Sequence, residues 1–260
     1  MSPEPAVGVI GGSGLYSLFD DGRSQEVDTP YGNPSGPIIG GTIEGAPAFF
    51  VPRHGPAHSI PPYNINYRAN IWALRQVGAV AVVSVTAVGS LRSDHEPGSV
   101  IICDQLIDAT YGRAQTFFDG PDVQHVSFAD PFCTTWRARA SAAANAAGFV
   151  THSGGTVVTI QGPRYSTRAE SRRYARSGAD VIGMTQCPEA ALAREAGLCY
   201  VMVGIVTDYD AGVDDDPTVP AVEEGHVAGV LGTAIPRIRG VVTSMISDFP
   251  KEVCPQCHRR

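Results

Sequence analysis

CYVMVGIVTDYDAG, Cys199 to Gly212, opens with eight apolar or small residues and then carries Asp208 and Asp210 within its last few. An uncharged, β-branched run of that kind predicts a strand buried on both faces, the type found at the centre of an α/β sheet. Carboxylates at the end of such a strand must find protons, cations or hydrogen-bond donors, because an unpaired buried charge is costly. Position alone leaves two readings for the pair: capping of the following turn, or chemistry.

Similar short runs recur along the chain at Val7–Ile10, Ala48–Val51, Val80–Val88, Ser99–Ile102, Thr156–Ile160 and Val181–Met184. Helical patterns lie between several of them. NINYRANIWALRQVG (Asn64–Gly78) gathers Ile65, Ala69, Trp72, Leu74 and Val77 around one face, with Gly78 as a stop. DPFCTTWRARASAAANAAGF (Asp130–Phe149) is alanine-rich, with Gly148 at its end. STRAESRRYARSG (Ser166–Gly178) has Glu170 three residues after Thr167, the spacing of a capping box. PEAALAREAG (Pro188–Gly197) begins with a proline suited to a first helical position. Strands alternating with helices predict a single α/β domain, a mixed central β-sheet flanked by helices, over residues 1–245, with a tail at 246–260. The acidic segment Val213–Pro220 reads as a loop before a final helix.

The 260 residues suffice for one large core, and a net charge of −7 gives no general attraction for nucleic acid or anionic lipid. Any phosphate must therefore be bound by a local site. The first residues, MSPEPAVGVIGG, carry no basic n-region, and no apolar stretch approaches the ~20 residues of a membrane span. A cytoplasmic enzyme, with neither membrane nor nucleic acid as partner, is the expectation. Six cysteines scattered through apolar segments argue against a disulfide framework. CPQCHRR at the end places Cys254, Cys257 and His258 in a C-x-x-C-H string, which reads as an inert or loosely redox-active tail because no second ligand cluster adjoins it in sequence.

Four of the strands end in polar residues: Gly11-Gly12-Ser13-Gly14, Arg53-His54, Thr86-Ala87 and Met184-Thr185. GGSGLY breaks the dinucleotide fingerprint, since Ser17 stands where glycine or alanine is needed, and no Walker lysine follows. Backbone freedom and a hydroxyl remain, which suit one phosphate oxygen, although a tight strand-to-helix turn explains the glycines equally well. Arg53 offers a fork of donors matched to phosphate oxygens. Together with the hydroxyls of Thr86 and Thr185 it outlines an anion pocket with no metal ligand.

IGGSGL (Ile10–Leu15), DTPYGNPS (Asp28–Ser35), RHG (Arg53–Gly55), NYRANIWAL (Asn66–Leu74), TAVGSL (Thr86–Leu91), TIQGPRYSTRAES (Thr159–Ser171), GADVIGMTQCPEAALAREAG (Gly178–Gly197) and TDYDAG (Thr207–Gly212) stand in that order. By these motifs residues 7–212 closely resemble the methylthioadenosine phosphorylases of the trimeric purine nucleoside phosphorylase superfamily. The resemblance implies phosphorolysis of a purine nucleoside with inorganic phosphate as co-substrate and no metal or organic cofactor. It implies phosphate binding by Ser13, Arg53, His54, Thr86, the Ala87 backbone and Thr185. It also implies Met184 against the ribose, Tyr165 stacked on the purine with Ser166 near the base, and Val222 lining the 5′ pocket. His125 would reach into a neighbouring subunit's site, so a homo-oligomer, trimer or hexamer, is expected. Ser13 and Tyr165 replace a frequent threonine and phenylalanine while keeping the hydroxyl and the ring.

Breaking the purine–ribose bond builds positive charge on the sugar and negative charge on the base. A phosphate held below the anomeric carbon answers the first, and a proton at N7 answers the second. Two neighbouring buried carboxyls are expected to share a proton, so Asp208 is the candidate acid for N7 and Asp210, ionised, the acceptor for the exocyclic N6 amine. That pattern favours a 6-aminopurine over methylthioinosine or a 6-oxopurine such as inosine, whose oxygen would face a carboxylate lone pair. A nicotinamide-dependent dehydrogenase and a non-catalytic nucleoside binder are the readings of other classes.

Overall fold

The β-branched runs at 79–90 and 199–209 have no polar face to turn towards water, and both are central strands of one mixed sheet. The computed structural model describes residues 4–12, 14, 15, 18, 19, 22–211, 213–250 and 254–257. The strands are β1 (Ala6–Gly11), β2 (Arg23–Gln25), β3 (Ile38–Ile43), β4 (Ala46–Pro52), β5 (Ala79–Ser90), β6 (Val100–Ile102), β7 (Gln105–Ala109), β8 (Thr151–Ser153), β9 (Thr156–Ile160), β10 (Val181–Gly183) and β11 (Cys199–Tyr209). The helices are α1 (Tyr67–Gln76), α2 (Thr134–Ala146), α3 (Arg168–Arg176), α4 (Gln186–Glu195) and α5 (Glu224–Ser247). The final helix thus follows the acidic loop, as the sequence implies. Strands β2, β3, β7 and β8 are additional to those read from the sequence.

Each face of the sheet is covered. On one, Val83 and Val85 of β5 and Val201, Val203 and Ile205 of β11 pack with Trp136 and Ala140 of α2 and Ile238 and Val242 of α5. On the other, Val82 and Val88 of β5 and Tyr200 and Met202 of β11 join Ile71 and Leu74 of α1 and Ala190 and Leu192 of α4. Each fully buried Val, Leu or Ile here contributes roughly 1.5–3 kcal/mol relative to exposure. Trp72, expected on the buried face of α1, is only half-buried and packs edge-on against Tyr31 and Phe117.

Local signals position the helices. The Asn66 side chain accepts from Ala69 N–H at 3.2 Å at the start of α1. The Thr167–Glu170 capping box is formed, with Glu170 N–H donating to Thr167 Oγ1 at 3.2 Å and Thr167 N–H to Glu170 Oε2 at 2.8 Å. Gly197, at φ +71°, takes the left-handed conformation that stops α4 and turns the chain into β11. Cys187 is extended, at φ −114° and ψ 128°, so the regular turns of α4 begin at Pro188. No helix among the described residues is long and apolar enough to cross a membrane.

Candidate active site

The sheet contains a gap. Strand β5 gives one edge to β11 from Ala81 to Ser90. Its other edge is shared: β1 runs parallel to it as far as Ile10 opposite Ser84, and β10 runs antiparallel opposite Gly89 and Ser90. The ends of β1 and β10 therefore point at each other across residues 85–88 of β5. Thr86 and Ala87, half-exposed within an otherwise buried stretch, lie at that opening. Met184 and Thr185 leave β10 there, and Gly12 leaves β1; Ser13 lies outside the described residues. Three polar strand ends, those of β1, β4 and β10, thus meet at one place with Thr86 and Ala87, which lie inside β5 and not at its end as the sequence implies.

Arg53 fills the inner wall of the gap and is 2% exposed. Its Nε donates to Glu189 Oε2 at 2.9 Å and its Nη2 to Glu189 Oε1 at 3.0 Å, a bidentate pair. Nη1 donates to Val85 O at 2.9 Å, the carbonyl that the diverging strands expose, and Nη2 also bonds Ser84 Oγ at 2.7 Å. Ser84 Oγ and Tyr200 Oη in turn donate to Glu189 Oε1, at 2.7 and 2.8 Å. This corrects the expectation of a fork offered to phosphate: the fork faces Glu189, leaving a fixed charge and one Nη1 hydrogen without an acceptor among the described residues. Glu189 is wholly buried, and the sequence reading of PEAALAREAG assigns it no role.

His54 Nδ1 lies 2.9 Å from Ile60 O, so Nδ1 carries the proton and Nε2 is an acceptor. Burial and the Arg53 charge push its pKa down to about 4, which keeps the ring neutral near pH 7. The ring is then no donor to an anion, whereas the His54 backbone N–H has no acceptor among the described residues. Thr185 is buried and accepts from Gln186 Nε2 at 3.2 Å, which frees its own hydroxyl hydrogen to donate elsewhere. Thr86 Oγ1 donates to Ala87 O at 3.2 Å. Arg113 holds the turn below, with Nη1 donating to Met184 O at 2.9 Å and Cys187 O at 2.6 Å. Nothing in the spacing of the loop around Arg113 signals that role.

Beyond the gap stands the acid pair, positioned by a β-bulge. Val206 pairs with Val88, but Asp208 pairs with Gly89, so Thr207 is an extra residue. Without it, period-two alternation would leave Asp208 on the face of Val206 and Met202; the bulge transfers it to the opposite face. Gly89 makes the room, since a Cβ there would lie 3.0 Å from Asp208 Oδ2 and 3.5 Å from Asp210 Cβ. Burial chiefly raises the Asp208 pKa to about 6; the 2.7 Å bond from Thr207 Oγ1 opposes this and the Asp210 charge adds to it. Burial also raises Asp210, but its carboxylate accepts from Ser166 Oγ at 2.9 and 3.2 Å, which opposes the rise. Asp210, held by the Ser166 hydroxyl, is the better-stabilised anion, and Asp208 the natural holder of a proton. Ser166 thus meets Asp210 directly.

A cavity of about 450 Å³ opens beside Asp208, walled by Pro97, Tyr209, Val222, Glu223 and His226. Val222 and Asp208 therefore share one space, while Thr86, Met184 and Thr185 are not among its walls. Tyr165 is 39% exposed, and burial and the Asp208 charge raise its hydroxyl pKa. His226, from the first turn of α5, bears electrostatically on Asp208 and went unread in the sequence. His125 is exposed in the loop between β7 and α2. The tail string does meet a second ligand group, contrary to the sequence reading: Cys257 reaches Cys133 and Cys199, while His258 lies outside the described residues.

Fold and site together define an α/β protein with a gap in its central sheet beside a buried acid pair. The chain belongs to the phosphorylase superfamily, whose family model matches residues 6–247. It is 51% identical over 248 residues to S-methyl-5′-thioadenosine phosphorylase of Thermococcus kodakarensis, covering 95% of this chain and 94% of that one. It is 46% identical over 252 residues to purine nucleoside phosphorylase of Streptomyces coelicolor, covering 94% and 89%. The fold is similar to that of methylthioadenosine phosphorylase from Schistosoma mansoni in complex with adenine, with a TM-score of 0.87 at 35% identity over 93% of this chain and 91% of that chain.

Proposed function

We propose that the protein is a pentosyltransferase that cleaves S-methyl-5′-thioadenosine with inorganic phosphate, releasing adenine and 5-methylthioribose 1-phosphate in purine and methionine salvage. The observation that carries this reading is the unequal acid pair: Asp208, raised to about 6 by burial, stands beside an Asp210 whose carboxylate accepts from Ser166. The names of several relatives that share nearly the whole chain agree with it.

In this reading phosphate occupies the sheet gap, held by Ser13, the Thr86 and Thr185 hydroxyls and the backbone at His54 and Ala87, with the guanidinium of Arg53, paired to Glu189, behind it. Met184 lies against the ribose, Tyr165 stacks on the base, and Val222 lines the pocket for the 5′ group. As the C1′–N9 bond breaks, the phosphate beneath stabilises the cationic sugar, and a phosphate oxygen then forms the new bond to C1′. Asp208 gives its proton to N7, so adenine leaves neutral, and Asp208 regains a proton from solvent. Asp210 accepts from the N6 amine. No metal or organic cofactor takes part.

Asp210 also argues against the purine nucleoside reading that the Streptomyces relative's name raises, because a 6-oxo group would face its lone pairs. Incubating the protein with methylthioadenosine, adenosine, methylthioinosine and inosine, each with and without phosphate, and measuring free base separates the two. Phosphate-dependent adenine release, fastest from methylthioadenosine, is expected; hypoxanthine release without adenine overturns the reading. The enzyme is further proposed to be cytoplasmic and to assemble as a trimer or hexamer in which His125 enters a neighbouring site. Its exposure, and that of Val123 at 65%, supports this. Light scattering tests the assembly, and loss of activity in His125→Ala with assembly intact tests the contribution.

A further inference from the structure

Four cysteines that are remote in sequence converge at the other end of β11. Cys133 precedes α2, Cys199 opens β11, and Cys254 and Cys257 occupy the turn after α5. The Sγ atoms of Cys133, Cys199 and Cys257 all lie within 4.8 Å of one another, and each of the three residues is at most 2% exposed. The fourth thiol, of Cys254, is half-buried three residues earlier in the same turn, outside the group of three, and bears electrostatically on Cys133. Cys257 N–H donates to Cys254 O at 2.9 Å, which closes the tight turn that brings both sulfurs of the C-x-x-C string to one side. Arg194 of α4 donates to Gln256 O at 3.3 Å and tethers the turn.

We propose that these four cysteines form a structural site for a single soft divalent cation of the zinc class. A tetrahedral ion with Zn–S bonds of ~2.3 Å holds its sulfurs about 3.8 Å apart, close to the spacing present. Binding exchanges thiol protons for the metal with no change of oxidation state. The α2 N-terminus at Cys133 and the nearby Arg194 oppose the net negative charge of a four-thiolate centre. With four protein ligands the site has no open position for chemistry. It sits nine residues, roughly 30 Å of extended strand, from Asp208. Its effect is to pin the tail beyond α5 to the starts of α2 and β11.

The test uses the full chain, reduced and stripped of metal, titrated with Co2+. Thiolate-to-cobalt charge-transfer and tetrahedral d–d absorption saturating at one equivalent per chain, and bleached by Zn2+, is expected. Zn2+ should also raise the thermal midpoint by several degrees. Cys257→Ser and Cys254→Ser should weaken the cobalt absorption while kcat/KM for the nucleoside stays within about twofold. Absence of cobalt–thiolate absorption from the reduced wild-type protein, with its thiols still titratable, overturns the proposal. So does protein purified without reductant that carries a stoichiometric disulfide among these residues and binds no cobalt after reduction.

Discussion

Strand β5 supports a pair of buried charged groups on each of its faces, and the two pairs are opposites. At Ser84, Arg53 and Glu189 neutralise each other, with the carboxylate further bonded by Ser84 and Tyr200. At Gly89, on the other face, two carboxyls stand together, and the pKa of each is raised by burial. The first pair lacks little that a ligand could supply. The second is short of a proton and of donors, and a substrate with a basic N7 and an amine is what completes it. Buried charge that is already satisfied builds the scaffold, whereas buried charge left wanting does the chemistry.

The sharpest way to break the contrast is Asp208→Asn. Loss of the proton donor should lower kcat by roughly 10²–10⁴-fold with little change in the KM for phosphate. The same substitution should leave the protein more stable at pH 8. The folded-state pKa of about 6 lies above the ordinary aspartate value of 3.8, so the stability this carboxyl contributes is complete below pH 3.8 and lost as pH rises through 6. Above that, the ionised group costs about 1–3 kcal/mol, which the neutral amide avoids. A large drop in denaturation midpoint at pH 8 would place Asp208 with the scaffold instead.

Glu189→Ala should do the reverse. Truncation strands the Arg53 guanidinium in a site that is 2% exposed, and about 3–5 kcal/mol of unfolding free energy should disappear from denaturant titrations. Loss of activity would follow from loss of folded protein. A variant of unchanged stability but poor phosphate affinity would return Arg53 to the free-fork role expected from sequence.

That reversal shows what was legible and what was not. RHG and PEAALAREAG each read correctly as a strand end and a helix. The pairing of Arg53 with Glu189 depends on a contact 136 residues long, and nothing local distinguishes Glu189 from a solvent-facing acid on an alanine-rich helix. Asp208 and Asp210 were legible as an oddity because they follow eight uncharged residues; the bulge at Thr207 that aims them was not. Ile38–Ile43 escaped notice because Gly40 and Gly41 interrupt its β pattern, and Thr151–Ser153 because its three residues are polar. The thiol cluster stayed hidden for the same reason as the ion pair: its members come together only through the fold.

The pH profile separates the pairs more gently. With Asp208 protonated as the active form, kcat/KM for the nucleoside should fall about tenfold per unit as pH rises above 6, whereas the Arg53 guanidinium, its pKa raised further beside Glu189, stays charged throughout that range. Phosphate itself titrates nearby, so the decisive comparison is with Asp208→Asn, in which the limb due to Asp208 should vanish and only that due to phosphate remain. Identical profiles for the two proteins would remove Asp208 from the proton transfer.

Gly89→Ala is the smallest intervention and the most local. The added methyl would sit 3.0 Å from Asp208 Oδ2 and 3.1 Å from Ile182 Cγ2, tighter than either neighbour accepts without moving. Ile182 belongs to β10, which frames the gap, so it has little freedom, and the carboxyl must turn away. A displacement of a few tenths of an ångström at a proton donor should cost about 1–2 kcal/mol of transition-state stabilisation, or roughly tenfold in kcat/KM. Stability should move by less than the Glu189 variant loses, because the Arg53 pair on the other face of β5 is untouched. If Gly89→Ala instead unfolds the protein and spares the rate, the glycine serves the packing of β10 and the acids do not depend on it.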